Sequence, residues 1–271
     1  MTAVPGPIHA VILGAVEGLT EFLPVSSTGH LILVSRVLRL QGAAVDTFDV
    51  VIQAGALVAV VGLYRRHVMA MGRGLLGRDA EGQALLIKVL ISFLPAAMAG
   101  AALHHAIKAH LFHPGAVIAA MALGGLLMIA VDRWCRPQRI ASPRTMMSLT
   151  RHQALIIGIA QCAALWPGTS RSMATILAGI MVGLPLAAAA EYSFLLALPT
   201  LGAATLFDAV KGGATLWQQI GGLSILVGFV SAAIVAAVAV RGFVQYVSRH
   251  GLALFGWYRV FVAAVVWVYG R

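Results

Sequence analysis

Gly14-Ala-Val-Glu17-Gly-Leu-Thr-Glu21-Phe-Leu-Pro24-Val-Ser-Ser-Thr-Gly-His30 is an apolar stretch that carries two carboxylates, breaks at a proline and restarts in a run of hydroxyls. Residues 8–24 are otherwise hydrophobic enough to lie in a bilayer, yet the apolar piece after the break, 31–40, is too short to cross one. A crossing takes about 20 apolar residues. The pattern returns in the second half: residues 152–166 break at Trp166-Pro167-Gly168-Thr169-Ser170-Arg171-Ser172, and 173–184 follow as a short apolar piece. A helix, a polar turn and a short second helix describe a re-entrant hairpin. Membranes tolerate such irregular backbone only where protein buries it or water reaches it.

The rest of the chain supports a membrane reading. Its 271 residues are 60% hydrophobic and only 10% charged, with a mean hydropathy of +0.92. Soluble domains carry about 25% charged residues, so an ordinary soluble enzyme is excluded. No ten-residue alternation marks the strands of an outer-membrane barrel. Full-length spans are expected at 46–63, 84–103, 115–132, 187–207, 219–240 and 252–269. The expected fold is an all-α polytopic membrane protein with about six full spans plus two re-entrant helical hairpins.

The formal net charge of +10 would suggest nucleic acid in a soluble protein. Here 16 of the 19 cationic residues are arginine, many in short loops between apolar runs. The positive-inside bias accounts for them and no nucleic-acid partner is expected. The loops 64–83 (Arg65, Arg66, Arg73, Arg78) and 133–151 (Arg133, Arg136, Arg139, Arg144, Arg151) are separated by two spans, which places both in the cytoplasm. The 104–114 loop, with Lys108 and the histidines His104, His105, His110 and His113, suits the outside, as do 208–218 and both termini; 241–251 falls inside. Arg36 and Arg39 facing outward argue against this assignment. Cys135 and Cys162 form no disulfide framework or metal cage. Met1 to Pro7 lack the basic region of a cleaved signal peptide.

An internal echo links the two halves. Gly14-Ala-Val-Glu17…Pro24-Val-Ser-Ser27 resembles Gly158-Ile-Ala-Gln161…Pro167-Gly-Thr-Ser170 with a one-residue gap, and Phe48 to Gly55 matches Tyr192 to Pro199 at a constant offset of 144. Halves 8–132 and 152–269 of one membrane domain would each hold a hairpin and three spans. Three crossings invert the second half, so the hairpin tips meet near the midplane.

Ionisable residues inside a membrane point to function, because burying one costs roughly 2.5–3.5 kcal/mol on insertion scales. Glu17 and Glu21, spaced i, i+4, share a helix face. Two carboxylates that close need a proton or a divalent cation between them; the plainer reading is a solvated pair at a helix end. Ser26, Ser27 and Thr28 open a helix whose free N–H groups make an anion site, and His30 shares the Ser27 face as proton carrier. A simple helix cap is the alternative. Arg171, flanked by Ser170 and Ser172, offers a fork of donors suited to phosphate, with the Thr175 hydroxyl one turn on. A structural ion pair with Glu17 or Glu21 is its competing role. Gln161 stands in the place of Glu17 and can bond ligand or hairpin, and Glu191 supports the arginine or a hairpin turn. Gly124-Gly125 and Gly221-Gly222 mark close helix packing.

At Glu17-Gly-Leu-Thr-Glu21-Phe-Leu-Pro-Val-Ser-Ser-Thr-Gly-His30 and Trp166-Pro-Gly-Thr-Ser-Arg-Ser172 the chain resembles the undecaprenyl-diphosphate phosphatase family of the bacitracin-resistance type. The similarity extends to Gln53-Ala-Gly55 and Glu191-Tyr-Ser-Phe-Leu-Leu-Ala-Leu-Pro199. The resemblance implies removal of the terminal phosphate of undecaprenyl diphosphate, which recycles the carrier lipid for peptidoglycan. It also implies an inner-membrane enzyme with inverted repeats, a site open to the periplasm and dependence on a divalent cation, Mg2+ or Ca2+. A homodimer is compatible with it. By motif position Glu17, Glu21, Ser27 and His30 match the first catalytic segment, and Ser170, Arg171, Ser172 and Thr175 the second. Met173 departs from the small residue usual after Ser-Arg-Ser.

The expected mechanism places the diphosphate between the hairpin tips. Arg171 holds the terminal phosphoryl oxygens, Glu17 and Glu21 bind the cation, Ser27 attacks and His30 shuttles its proton; direct attack by water is the rival. A transporter or flippase of polyprenyl phosphates is the alternative from another class, because broken helices and midplane charges serve transport as well.

Overall fold

The computed structural model describes residues 5–111, 113–135 and 144–269. The terminal residues, Arg136, Arg139 and the side chains of His104 and Lys108, on which part of the sidedness expectation rests, lie outside the described residues. The described residues form eleven α-helices: α1 (Pro7–Thr20), α2 (Ser27–Val37), α3 (Ala43–Leu63), α4 (Arg65–Leu75), α5 (Ala80–Leu111), α6 (Pro114–Cys135), α7 (Arg151–Gln161), α8 (Arg171–Met181), α9 (Leu186–Ile220), α10 (Gly222–His250) and α11 (Ala253–Tyr269). An all-α membrane protein is what the chain forms.

Among the described residues four segments are long and apolar enough to cross a bilayer: Ala80–Leu103, Pro114–Cys135, Leu186–Leu206 and Gly222–His250. A fifth is reached if α3 is taken with α4, which turns away from it by 86°. α11 is apolar but has 17 residues, about 25 Å at 1.5 Å per residue against a hydrocarbon core of about 30 Å. The sequence thus places the apolar segments correctly, and by length alone four or five of the six expected spans qualify.

The expected loops are shorter than foreseen. Most of 104–114, 208–218 and 241–251 continues the helices α5, α9 and α10, and 64–83 contains α4. Hydropathy marks where a helix leaves lipid, whereas a helix stops only where a breaker lets it. α9 and α10 run on to Gly221 (φ +81°) and Gly251 (φ +87°), the left-handed positions that end helices. The next helix, α6, starts at Pro114, where a missing N–H costs nothing.

Both sequence breaks form helix–turn–helix units. α1 ends at Glu21 and α2 begins at Ser27; α7 ends at Gln161, passes through a 3-10 turn (Cys162–Leu165), and α8 begins at Arg171. A reciprocal capping box between Thr150 and Gln153 starts α7, and the Gln153 amide also donates to Val182 O beyond α8, 2.9 Å away, tying the unit's open end together. The short helices begin at Ser27 and Arg171, ahead of the apolar stretches 31–40 and 173–184, so Ser27, His30, Arg171 and Ser172 lie within helical turns, as the hydroxyl run at 26–28 led one to expect for α2.

α1 packs on α10 and α7 packs on α5. Gly14 makes the first approach possible, because a Cβ there would collide with Gly228 O. Gly158 does the same for the second, where a Cβ would stand 2.6 Å from Ser92 O. α3 crosses α9, and α11 lies along α6. At the α3–α4 bend, Tyr64 begins a line of aromatic rings leading inward: Tyr64 to Phe194 (6.1 Å), then Phe194 to Phe22 (5.6 Å, edge to face). Phe22 and Phe194 are fully buried.

Candidate active site

The two breaks meet. Glu21, the first residue past α1, is turned inward, and the Arg171 guanidinium at the start of α8 reaches it: Nη2 donates to Glu21 Oε1 at 3.0 Å. Both side chains are nearly sealed, at 8% and 6% exposed. The other carboxylate oxygen, Oε2, accepts the hydroxyl hydrogen of Ser27 over 2.6 Å. One carboxylate therefore holds a hydroxyl from α2 and a guanidinium from α8, and its neighbour Phe22 lies under the Arg171 guanidinium at 5.7 Å.

Arg171 is braced from beneath. Its Nη1 donates to Ser193 O (2.9 Å) and Ser193 Oγ (3.3 Å) on α9. Thr175 Oγ1 lies 2.7 Å from Ser193 Oγ and donates to Arg171 O at 2.9 Å, completing a buried hydroxyl pair below the guanidinium. Nε of Arg171 is buried and has no hydrogen-bond partner. An unspent N–H on a buried guanidinium is a donor waiting for an acceptor, because leaving it unpaired is costly.

Glu17 is the counterpart on the acidic side. It is 1% exposed, and neither of its carboxylate oxygens accepts a hydrogen bond. The carboxylates of Glu21 and Asp49 are close enough to repel it. A buried carboxylate in that position calls for a proton or a cation. Among the described residues no set of three or more His, Cys, Asp or Glu is arranged to enclose a metal ion by itself. A cation beside Glu17 would therefore complete its shell with substrate oxygens and water, the usual habit of Mg2+.

The serines flanking Arg171 are committed to structure. Ser170 caps α8, accepting from Met173 N at 3.3 Å, and its hydroxyl lies 3.0 Å from that of Ser172. Ser172, fully buried, donates to Leu23 O at 2.9 Å and so staples the second break to the first. Ser26 and Ser170, the residues just before α2 and α8, share an uncommon backbone, φ +74° and +73°. Thr28 faces a cavity of about 180 Å3 that also touches Gly29 and Pro167, so both breaks line it, with Arg36 and His113 on its wall.

Two expectations change. His30 does not engage Ser27: its Nδ1 lies 2.8 Å from Ser26 O and its Nε2 lies 2.8 Å from the Tyr258 hydroxyl. The i, i+3 spacing puts His30 on the right face, but the turn before it offers a carbonyl and α11 a phenol. Gln161 is not in the cluster either. It is buried between α5 and α9, near Ser92 O and the Thr200 hydroxyl at 3.4 Å each; an uncharged amide in the place of Glu17 serves packing. Ser193, Tyr258 and Arg259 were not singled out in the sequence. Ser193 entered only as a member of the Glu191–Pro199 stretch, with no role of its own, and Arg259 is a cation inside an apolar stretch.

Comparison with known proteins bears on this arrangement. The sequence profile described as "Bacitracin resistance protein BacA" matches residues 10–265, essentially the whole chain. The chain belongs to the BacA family. It is 51% identical to an undecaprenyl-diphosphatase of Sorangium cellulosum over 95% of this chain and 84% of that one. It is 47% identical to undecaprenyl-diphosphatase 2 of Rhodospirillum rubrum over 96% and 93%, and 44% identical to an undecaprenyl-diphosphatase of Methylococcus capsulatus over 97% and 94%. The Glu21–Arg171 cluster lies within the region that matches the BacA profile.

Proposed function

We propose that this chain hydrolyses undecaprenyl diphosphate to undecaprenyl phosphate and inorganic phosphate, as a multi-pass enzyme of the bacterial inner membrane. The observation that carries the reading is a buried guanidinium with an unspent N–H beside a hydroxyl held by a carboxylate. Transport needs groups that bind phosphate; it does not need a nucleophile paired with a base. All these groups come from one chain, so the reaction requires no second copy.

The terminal phosphoryl group takes the position between Ser27 and Arg171. Arg171 Nε and Nη2 hold its oxygens as a fork and stabilise the charge of the transition state. Ser27 Oγ attacks phosphorus in line, its proton passes to Glu21 Oε2, and the bond to the bridging oxygen breaks, releasing undecaprenyl phosphate. Glu21 yields that proton to the departing undecaprenyl phosphate and, a carboxylate again, takes one from the water that attacks the phosphoserine; it hands this proton to Ser27 Oγ as the phosphorus–oxygen bond breaks, and inorganic phosphate leaves. Glu21 is thus the base at Ser27, and His30, whose Nδ1 meets Ser26 O, braces the turn that presents Ser27. Glu17, with Glu21, would hold a divalent cation, which when bound neutralises charge on the two phosphates.

The same reading extends to the membrane. α1–α2 and α7–α8 act as re-entrant hairpins of an inverted repeat with the site facing the periplasm. What supports it is the matched backbone of Ser26 and Ser170, 144 residues apart, and the matched glycine approaches of α1 and α7. The Lys88 ammonium reaches Met147 O at 2.8 Å, which brings the start of α5 beside the 144–151 segment, so the arginines of both regions share one face. The test is phosphate release from undecaprenyl diphosphate by the purified chain in detergent. Release that vanishes in Arg171→Ala supports the enzyme; no release, with lipid uptake in liposomes, supports transport instead.

A further inference from the structure

α11 carries two adjacent polar side chains that the chemistry above does not use, and both touch the hairpin turns. Arg259 is fully buried. Its Nη1 donates to Pro24 O (3.2 Å) and its Nη2 to Gly168 O (2.9 Å), one carbonyl from each turn. Nη2 also donates to Ala120 O (3.1 Å), and Nε donates to Met121 O (3.3 Å), both on α6. Pro24 and Gly168 each stand two residues before the positive-φ serines, Ser26 and Ser170, that start the short helices. A single planar donor set thus fixes the height of Ser27 and of Arg171 relative to each other. Gly124 makes room for it, since a Cβ there would come within 2.5 Å of Arg259 Nη2.

Tyr258 acts on the remaining group. His30 Nδ1 faces a backbone carbonyl, which can only accept, so Nδ1 carries the hydrogen and Nε2 of the neutral ring carries the lone pair. The Tyr258 hydroxyl therefore donates to Nε2 at 2.8 Å, and the two rings lie nearly parallel, 9° apart with centroids at 5.6 Å. With one nitrogen fixed by Ser26 and the other by Tyr258, the imidazole has one orientation and one tautomer.

We propose that Tyr258 and Arg259 are positioning residues of the phosphatase site: Tyr258 sets the orientation of His30, and Arg259 locks the two hairpin turns so that Ser27 and Arg171 face each other across the phosphoryl group. The inference rests on the phosphatase reading. It adds α11 as a fourth element to a site otherwise built from the two motif segments and α9.

The experiment uses the full chain purified in detergent, with phosphate release from undecaprenyl diphosphate and thermal unfolding measured on the same samples. Tyr258→Phe keeps the ring stacking and removes only the donated hydrogen bond. It should lower kcat about tenfold, with KM within about twofold and the unfolding midpoint unchanged, because an orienting bond acts on the reacting geometry more than on binding. Arg259 variants risk misfolding, so Gly124→Ala displaces the guanidinium without removing it. That variant should cost about tenfold or more in kcat per folded molecule, and Arg259→Lys should fall between it and Arg259→Met. A wild-type kcat in Tyr258→Phe or in Gly124→Ala removes that residue from the site, leaving a packing role that would show only in the unfolding midpoint. A wild-type protein that releases no phosphate would overturn the phosphatase reading itself, and the inference with it.

Discussion

The Ser27 hydroxyl is held by Glu21, 2.6 Å away, while both ring nitrogens of His30 face other partners. On the proposed chemistry this pairing makes Glu21 the acceptor of the Ser27 proton. In Glu21→Gln the serine keeps an acceptor but loses its base. Turnover should fall by about 10²–10⁴, the range of a general base. Ser27→Ala should fall at least as far, and the double variant no further than the worse single one, because groups acting as a unit are not additive. Single-turnover phosphate release in the three variants checks this; a Ser27→Ala enzyme that keeps most of its rate would mean that water attacks directly.

Arg171→Lys should be nearly as damaging as Arg171→Ala. A lysine places one point charge where the guanidinium now spans Ser193, Glu21 and an unspent Nε–H. Losing a single preorganised donor to a transition-state oxygen costs about 10²–10³ in kcat. Inhibition by vanadate, which occupies the phosphoryl position, should weaken in parallel. Lysine restoring wild-type turnover would show that charge alone matters at this position.

Glu17→Gln should change the cation requirement and leave the fold intact. Neither oxygen of Glu17 accepts a hydrogen bond, so the amide removes a buried charge without breaking a contact. The unfolding midpoint should hold or rise. Chelation should silence the wild-type enzyme, and the variant should need about tenfold more Mg2+ to recover, in line with the loss of one ligand's support. Titration of Mg2+ against phosphate release, beside a thermal melt, reads both effects.

Gln161→Ala should keep wild-type kcat and KM. Its amide lies between Ser92 O and Thr200, away from the Glu21–Arg171 cluster, so the cost should appear as about 1 kcal/mol of stability. A tenfold loss in kcat at unchanged stability would return Gln161 to the substrate-binding set.

Gly158→Val tests the packing that positions α7. Even a Cβ would stand 2.6 Å from Ser92 O, and that atom is backbone, which cannot swing aside. Overpacking of this kind costs about 1–3 kcal/mol. The unfolding temperature should drop, with activity per folded molecule largely kept; an unchanged melt would mean that the α5–α7 contact adjusts freely.

The parts of this site that were legible in the sequence are those that violate their surroundings. Glu17, Glu21 and Arg171 stand out because charge in an apolar stretch has to be accounted for, and Pro24 and Pro167-Gly168 announce where the helices break. By the same rule Arg259 was open to detection, since it interrupts 252–269 as plainly as Glu17 interrupts 8–24. It has no motif around it, and the lack of a neighbouring break hid it. Ser193 was visible only as a member of the Glu191–Pro199 stretch, and Tyr258 not at all: hydroxyls are common in membrane helices, and only the crossing of α9 and α11 with the turns gives these two a partner. The partners of His30 were not legible because spacing along one helix says nothing of what another helix brings up to it. The loops came out too long because hydropathy reports depth in lipid, not the end of a helix.

The rings of Phe22, Phe194 and Tyr64 fill the interior between the Glu21–Arg171 pair and the α3–α4 bend. Behind the Glu21 carboxylate the chain thus sets aromatic rings rather than polar side chains. On the phosphatase reading proposed above, a lipid cut here leaves by the way it came, and the monophosphate carrier accumulates on the face where it was made.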